Sequence, residues 1–180
     1  ANPPGATPTA TPGQPATATP TATPTATRTP PAYTGPYRLN AGGPQYVDIY
    51  SRAWLADRPY TPGGFGYVGG QTYAVSAPIA NTEDDTLYQT ERWGLSAYKF
   101  DLPNGTCRVD LLFAEIYGWS KEQRLFDVQI EGQRVLTSLD IFAQAGRYAA
   151  YDRTFTVLVT DGSLDIDFLA RVNSPKINAL

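Results

Sequence analysis

The sequence contains no histidine, and its 180 residues include a single cysteine, Cys107. Without histidine the chain lacks the commonest general base, the commonest zinc ligand and the base of a Ser-His-Asp arrangement. One cysteine can form neither an intrachain disulfide nor a cysteine-based metal cluster. Because Cys107 alternates with apolar residues in the run "TCRVDLLFAEIY", we expect it to be a buried small apolar residue.

Basic residues are also scarce: 14 lysines and arginines stand against 17 acidic residues, for a net charge of −3. This balance gives no basic patch, so nucleic acid is not an expected partner. No hydrophobic run reaches the roughly 18 residues that a membrane span needs, so no membrane-spanning segment is predicted. No glycine-rich phosphate loop opens a helix, and we predict no cofactor. The acidic run "NTEDD" (81–85) lacks the spacing of a calcium loop and predicts a solvated turn, so no metal is predicted.

Residues 1–36 have a composition of their own: ten of the 16 prolines, eleven threonines, eight alanines and one charged residue, Arg28. Such a segment has too few large apolar side chains to form a core. Because proline fixes φ at about −65° and keeps the preceding residue extended, we expect an extended polyproline II stalk.

Two compatible interpretations of this low-complexity stalk follow from its composition. It is a spacer that holds the following domain away from a surface, and its threonines accept O-linked sugars, as in mucin-like stalks. Both predict an extracellular or cell-surface location. Because the chain begins at Ala1 without a signal peptide, we expect a mature or trimmed product. The candidate O-glycosylation sites are Thr7, Thr9, Thr11, Thr17, Thr19, Thr21, Thr23, Thr25, Thr27 and Thr29.

Residues 37–180 are predicted to form one all-β domain. "LFDVQIEGQRVL" predicts a hairpin that turns at Glu131-Gly132, and "TFTVLVTDGSLDIDFLARV" predicts another that turns at Asp161-Gly162. "SLDIFAQAG" predicts one short helical turn, and residues 56–72 predict a long Gly/Pro-rich loop. Many short strands with regular turns indicate a β-sandwich.

Six sequence blocks carry a resemblance to a known family: "RLNAGG" (38–43), "LYQTERWG" (87–94), "FAEIY" (113–117), "FDVQIEG" (126–132), "LDIFAQAG" (139–146) and "NSPKINAL" (173–180). In their content and order, these blocks resemble malectin and the malectin-like carbohydrate-binding modules. The resemblance covers nearly all of residues 37–180. It implies a jelly-roll-like β-sandwich that binds glucose-type oligosaccharides in a cleft of loops at one end, and a binding module rather than an enzyme.

The resemblance also implies which residues hold the sugar, namely aromatic side chains and one acidic residue. Tyr73 matches the tyrosine that precedes "LYQTER". Trp93 stands where the family has a tyrosine after "TER", and Tyr117 is the retained tyrosine that ends "FAEIY". The family's next residue, a phenylalanine, is Gly118 here. The acidic position near the C-terminus is occupied by Asn173, which keeps a hydrogen-bonding side chain without the charge.

The ring missing at Gly118 has a substitute one residue further on, in Trp119. Pyranose rings present an apolar face of C–H bonds and a rim of hydroxyl groups, and tyrosine and tryptophan offer a flat apolar area with a polar tip. We therefore expect Trp119 to join the carbohydrate-binding residues. The alternative is that aromatic residues near strand ends cap the core or contact another protein chain.

Three carboxylates, Glu91, Glu115 and Asp127, raise the question of a glycosidase pair. Glu91 adjoins Arg92 in the sequence, and the other two lie in runs with strand-like alternation. Structural ion pairing is therefore the favoured interpretation, and no catalytic residue is predicted.

Three functions of different kinds fit the sequence. The first is a non-enzymatic extracellular module that binds a glucose-type or related oligosaccharide and is displayed on the O-glycosylated stalk. The alternative is a structural subunit of a secreted glycosylated filament or surface layer, in which the stalk packs against neighbouring copies of the same chain. A third possibility is the accessory domain of a hydrolase encoded in the same gene.

Overall fold

A computed structural model describes residues 35–180. The ten candidate threonines, and all but the last two residues of the polyproline II stalk predicted over residues 1–36, fall on residues 1–34, outside the described residues. The described part contains eleven strands: β1 (Leu39–Asn40), β2 (Tyr46–Val47), β3 (Ala53–Ala56), β4 (Phe65–Ala74), β5 (Thr90–Asp101), β6 (Gly105–Ala114), β7 (Leu125–Ile130), β8 (Gln133–Leu139), β9 (Ala150–Val159), β10 (Ser163–Val172) and β11 (Lys176–Ile177). It also contains two short helices, α1 (Thr86–Gln89) and α2 (Ile141–Ala145).

The strands form two layers, which confirms the predicted all-β sandwich. In the larger sheet the order is β11-β5-β10-β7-β8, and β4 pairs with β5. The second layer contains the antiparallel pair β6–β9 and the small sheet β1-β3-β2. Ala179 bridges both parts of this layer, because it pairs with Asn40 on one side and with Leu112 on the other. Among the described residues, neither helix is long or apolar enough to cross a membrane.

The core lies between the layers and follows from strand alternation. Side chains at every second position of a strand face the same side, and the inward-facing ones here are large and apolar. The fully or almost fully buried set includes Val109, Leu111 and Phe113 from β6, Phe126, Val128 and Ile130 from β7, and Leu164, Ile166 and Phe168 from β10. Cys107 precedes this row on β6 and packs against the same core, as expected, although it is only partly buried.

The predicted turn and the predicted helix that depend on contacts between residues close in the sequence were both correct. β7 and β8 form the predicted hairpin, and Glu131 and Gly132 both have positive φ, at 51° and 69°. The helical turn is α2, whose N-terminal cap is the Asp140 side chain, which accepts a hydrogen bond from the Ala143 amide at 2.9 Å.

Two other predictions were wrong. β9 and β10 do not form a hairpin: β9 pairs with β6 in one layer, whereas β10 pairs with β5 and β7 in the other. The Asp161-Gly162 turn therefore crosses between layers. The predicted loop at residues 56–72 contains most of β4, whose glycines are accommodated by pairing with β5 and by a register shift between Val68 and Gly69.

Asn178 joins three separate elements at one end of the sandwich. Its side chain is fully buried. Its Oδ1 accepts a hydrogen bond from the Ala114 amide at 2.7 Å. Its Nδ2 donates to the carbonyl oxygens of Tyr88 and Thr90, both at 2.9 Å. The end of β6 and the start of β5 are thereby fixed to the C-terminal segment.

We predict that Asn178→Ala lowers the free energy of unfolding by about 2–4 kcal/mol, because it leaves buried backbone groups without partners. Asn104→Ala is the matched control, since Asn104 is exposed and its side chain makes a single hydrogen bond, of 2.7 Å, to the Thr160 carbonyl. It should cost less than about 1 kcal/mol. Urea unfolding of both variants measures the difference, and equal losses would contradict the role given to Asn178.

Candidate functional site

A cavity of about 300 Å³ opens at the end of the sandwich where Asn178 joins the layers. Its lining combines aromatic rings with polar and charged side chains: Tyr73, Glu91, Trp93, Tyr117, Arg124 and Asn173. Four of the five predicted carbohydrate-binding residues therefore lie around one opening. The structure brings them together from β4, β5, the loop after β6 and the end of β10.

Strand register explains why these side chains meet. Tyr73 of β4 lies opposite Glu91 of β5, and residues directly opposite one another in a sheet point to the same face. Trp93 is two residues further along β5 and shares that face. β10 stays paired with β5 only as far as Ala97, and β11 takes its place beside Trp93. Asn173 lies in the connection between β10 and β11, at the edge of this gap.

The aromatic residues at the opening face outward. The rings of Tyr73 and Tyr117 meet edge to face, with centroids 5.5 Å apart and planes at 90°. Tyr73 is 37% exposed and Tyr117 is 52% exposed, so neither caps the core. Trp93 is half-buried on β5. The opening therefore offers flat apolar surfaces to solvent.

Beneath the rings lies a buried network of four charged side chains: Glu91, Glu115, Arg124 and Lys176. Lys176 Nζ pairs with Glu91 Oε2, and Arg124 Nε lies 2.9 Å from Glu115 Oε2. Lys176 also donates to the Ala114 carbonyl, and Arg124 to the Ser174 carbonyl. Two carboxylates face two cations, so the network carries no net charge.

Glu115 also shapes the loop that carries Tyr117. Its Oε1 accepts hydrogen bonds from the amides of Tyr117 and Gly118, at 3.0 and 2.7 Å. A Cβ at position 118 would lie 3.1 Å from Cδ of Glu115, closer than ordinary packing. A side chain at position 118 would therefore require Glu115 to shift by a few tenths of an ångström.

The charge state of Glu115 is set by its surroundings. Burial by itself would raise the pKa of this carboxyl group, but the positive charges of Lys176 and Arg124 and the amides of Gly118 and Tyr117 outweigh it. The pKa of Glu115 therefore lies below its ordinary value, and the group is ionised at neutral pH.

Trp119, the fifth predicted residue, does not line the cavity. Its ring lies on the guanidinium group of Arg147, with 3.5 Å between the ring centroid and the guanidinium carbon. Its backbone amide donates to Gln123 Oε1 at 2.7 Å. Trp119 is therefore not brought together with the other four residues around this cavity, and its part in carbohydrate binding remains a prediction. The backbone between Tyr117 and Trp119 is held by Glu115, and the indole turns to Arg147 instead.

The carboxylates singled out in the sequence are all paired, although not always with the expected partner. Glu91 and Arg92 point to opposite faces of β5, so Glu91 pairs with Lys176 while Arg92 Nε lies 2.5 Å from Asp57 Oδ2. Asp127 lies 2.5 Å from Arg171 Nε. This bond, together with the Ser138 amide and Arg134, outweighs burial and lowers the pKa of Asp127 to about 2.

Two charged residues of the site were not identified from the sequence: Arg124, which lines the cavity, and Lys176, which lies beneath it. Both lie in runs that also contain apolar residues, "QRLFDV" and "SPKINAL". A charged residue at the edge of a buried strand is a signal of a buried ion pair. The sequence contains this signal but does not say which carboxylate each cation meets.

Comparison with known proteins shows the family and confirms the resemblance carried by the six sequence blocks. The model of the Malectin domain family matches residues 36–180. Malectin-B of Xenopus laevis is 33% identical over 136 residues, which are 72% of this chain and 48% of that protein. Malectin of Homo sapiens is 33% identical over 136 residues, covering 72% of this chain and 45% of that protein. The chain thus spans about half the length of these relatives.

Solved structures show the same fold. A β-glucuronidase of Bacteroides uniformis superposes with a TM-score of 0.76 and 28% identity, over 79% of this chain and 17% of that one. The ANX2 ectodomain of Arabidopsis thaliana superposes with a TM-score of 0.68 and 18% identity, over 79% of this chain and 48% of that one. Fold and matches together define a malectin-like carbohydrate-binding domain. The chain belongs to the malectin domain family.

We predict that Glu115→Gln lowers the free energy of unfolding by about 3–5 kcal/mol at neutral pH, because it leaves buried cations uncompensated. The folded-state pKa of Glu115 is lowered, so its contribution is present above the unfolded-state pKa of about 4.3 and is lost as the pH falls through the folded-state value. Urea unfolding of the wild type and of Glu115→Gln, at neutral pH and at about pH 3, should show that the difference in their free energies of unfolding is smaller in acid. An equal difference at both pH values would contradict this role of Glu115.

Proposed function

We propose that this domain binds a glucose-type or related oligosaccharide in the cavity lined by Tyr73, Trp93 and Tyr117, without chemical conversion of the ligand. The observation that carries the proposal is that these rings converge on one opening beside the amide of Asn173 and the guanidinium of Arg124. Flat rings suit the C–H face of a pyranose, and fixed donors and acceptors suit its hydroxyl rim.

The charge balance of the site favours a neutral ligand. The buried network beneath the rings has two carboxylates and two cations, and their charges cancel. An anionic sugar would gain from Arg124 but would also meet Glu91, and both of these residues line the cavity. A neutral sugar avoids this conflict, since its hydroxyl groups act as both donors and acceptors.

Binding without catalysis follows from how the carboxylates are used. A glycosidase needs two carboxyl groups placed on either side of the scissile bond, one of them free to donate a proton. Glu91 and Glu115 are each 1% exposed and engaged with buried cations. The likeness to the β-glucuronidase covers 17% of that chain, so it supports a shared fold and gives no support for catalysis here.

We propose that the domain acts outside the cell or at its surface, displayed on the stalk of residues 1–36. The composition of the stalk supports this location, because Thr/Pro-rich tracts are typical of glycosylated surface proteins. The fold is also that of the ANX2 ectodomain. Affinity at one site should be weak, with Kd in the micromolar to millimolar range, since a few stacked rings contribute only a few kcal/mol. Display of several copies would then increase the effective affinity.

The proposal predicts that Trp93→Ala and Tyr117→Ala each weaken binding of maltose, cellobiose or laminaribiose about five- to thirty-fold, because each removes a stacking surface worth about 1–2 kcal/mol. The matched control is Tyr50→Ala, since Tyr50 is 61% exposed but lies away from this cavity, bonded to Glu83. Isothermal titration with the disaccharide that the wild type binds best is the measurement. Unchanged affinity in both cavity variants would refute the site.

The stalk is tested separately by intact mass spectrometry of native material. If the threonines carry O-linked sugars, the mass will exceed that of the 19.5 kDa polypeptide in hexose or N-acetylhexosamine increments that map to residues 1–36. A mass equal to that of the bare polypeptide would show that the stalk is not glycosylated and would leave the spacer role alone.

Size-exclusion chromatography with light scattering on the same sample distinguishes a monomeric module from the alternative, a subunit of a filament.

A further inference from the structure

Trp119 is held in place although most of its side chain faces solvent. It is 68% exposed, more than the other exposed large hydrophobic residues of the described chain. Its amide is nevertheless fixed by Gln123 and its ring by Arg147. An exposed indole forgoes the free energy that burial would provide. The Trp119 side chain is thus exposed and yet held in one orientation, which leaves it available as a contact surface.

Arg147 supports one face of the indole only. Its guanidinium carbon lies 3.5 Å from the ring centroid of Trp119 and 4.4 Å from that of Tyr148, so it stacks with both rings. Its Nε is buried and has no hydrogen-bond partner among residues 35–180. The arginine thus gives up part of its hydrogen bonding while it supports the ring. With one face covered and two thirds of the surface exposed, the opposite face of the indole is open.

The loop that carries Trp119 also carries Tyr117 of the aromatic cavity. Trp119 is two residues from Tyr117, a separation of at most about 7 Å between Cα atoms. Arg147 pairs through its backbone with Glu115, the residue that fixes the Tyr117 amide. Its Nη2 also reaches the Ile116 carbonyl, at 3.5 Å. The same short loop therefore carries the edge of the cavity and the second ring.

We propose that Trp119, positioned by Arg147, is a second stacking subsite that binds a further sugar residue of a ligand already seated in the cavity. This inference rests on the proposed function and specifies its ligand as an oligosaccharide longer than two residues. The cavity, at about 300 Å³, is at the small end of ligand sites. A longer chain must leave it across its rim, and Trp119 offers the adjoining flat surface.

The test is the dependence of affinity on ligand length, measured by calorimetry with malto-, cello- and laminari-oligosaccharides of two to six residues. The wild type should bind the longer members of its preferred series about three- to ten-fold more tightly than the disaccharide, as expected for one added stacking contact. Trp119→Ala should abolish this gain and leave disaccharide affinity within about two-fold. Trp119→Tyr should restore most of the gain, and Tyr50→Ala should leave it unchanged.

Arg147→Lys tests the positioning role, because it keeps the charge but removes the flat guanidinium. It should reduce the gain with length while disaccharide affinity stays within about two-fold. Wild-type binding that does not depend on length, or a Trp119→Ala variant that keeps the full gain, would overturn this inference and leave the proposed function standing. A wild type that binds none of the oligosaccharides would overturn the proposed function itself.

Discussion

The buried charge network at one end of the sandwich is the interaction on which the rest of the site depends. Lys176 from the C-terminal segment, Glu91 from β5, Glu115 after β6 and Arg124 before β7 meet there with their charges balanced. Ions withdrawn from water are tolerated only when they are paired and hydrogen-bonded. Each of these groups therefore requires the others to be in place, and the four elements are fixed relative to one another.

This constraint accounts for the arrangement of the aromatic residues above it. The Tyr117 amide is held by the Glu115 carboxylate, Trp93 lies two residues from Glu91, and Arg124 reaches the carbonyl next to Asn173. Rings placed on strands and on a tied loop lose little freedom when a ligand arrives, so more of the stacking energy is retained as affinity. A rigid polar base under an exposed apolar rim is well suited to a rigid ligand with one apolar face.

The sequence predicted the sandwich, the β7–β8 hairpin, helix α2 and four cavity residues, because each depends on alternation, a short turn or a family motif. It did not predict that β9 and β10 separate into different layers, since an Asp-Gly turn looks the same in a hairpin and in a crossover. It did not predict that the Trp119 ring stacks on Arg147 outside the cavity, because the two residues are far apart in the chain. Long-range ion pairing was equally hidden: Glu91 adjoins Arg92 in the chain but meets Lys176 in the fold.

The most direct test of the account uses the three tryptophans, whose indole N–H groups give three separate NMR signals. Trp54 is buried and its indole donates to Asp48 at 2.9 Å, so it serves as an internal reference. During titration with a glucose disaccharide, the account predicts that the Trp93 signal shifts and saturates while the Trp54 signal stays still. A Trp93 signal that does not move at saturating or high millimolar disaccharide would contradict the claim that these rings form a sugar-binding surface.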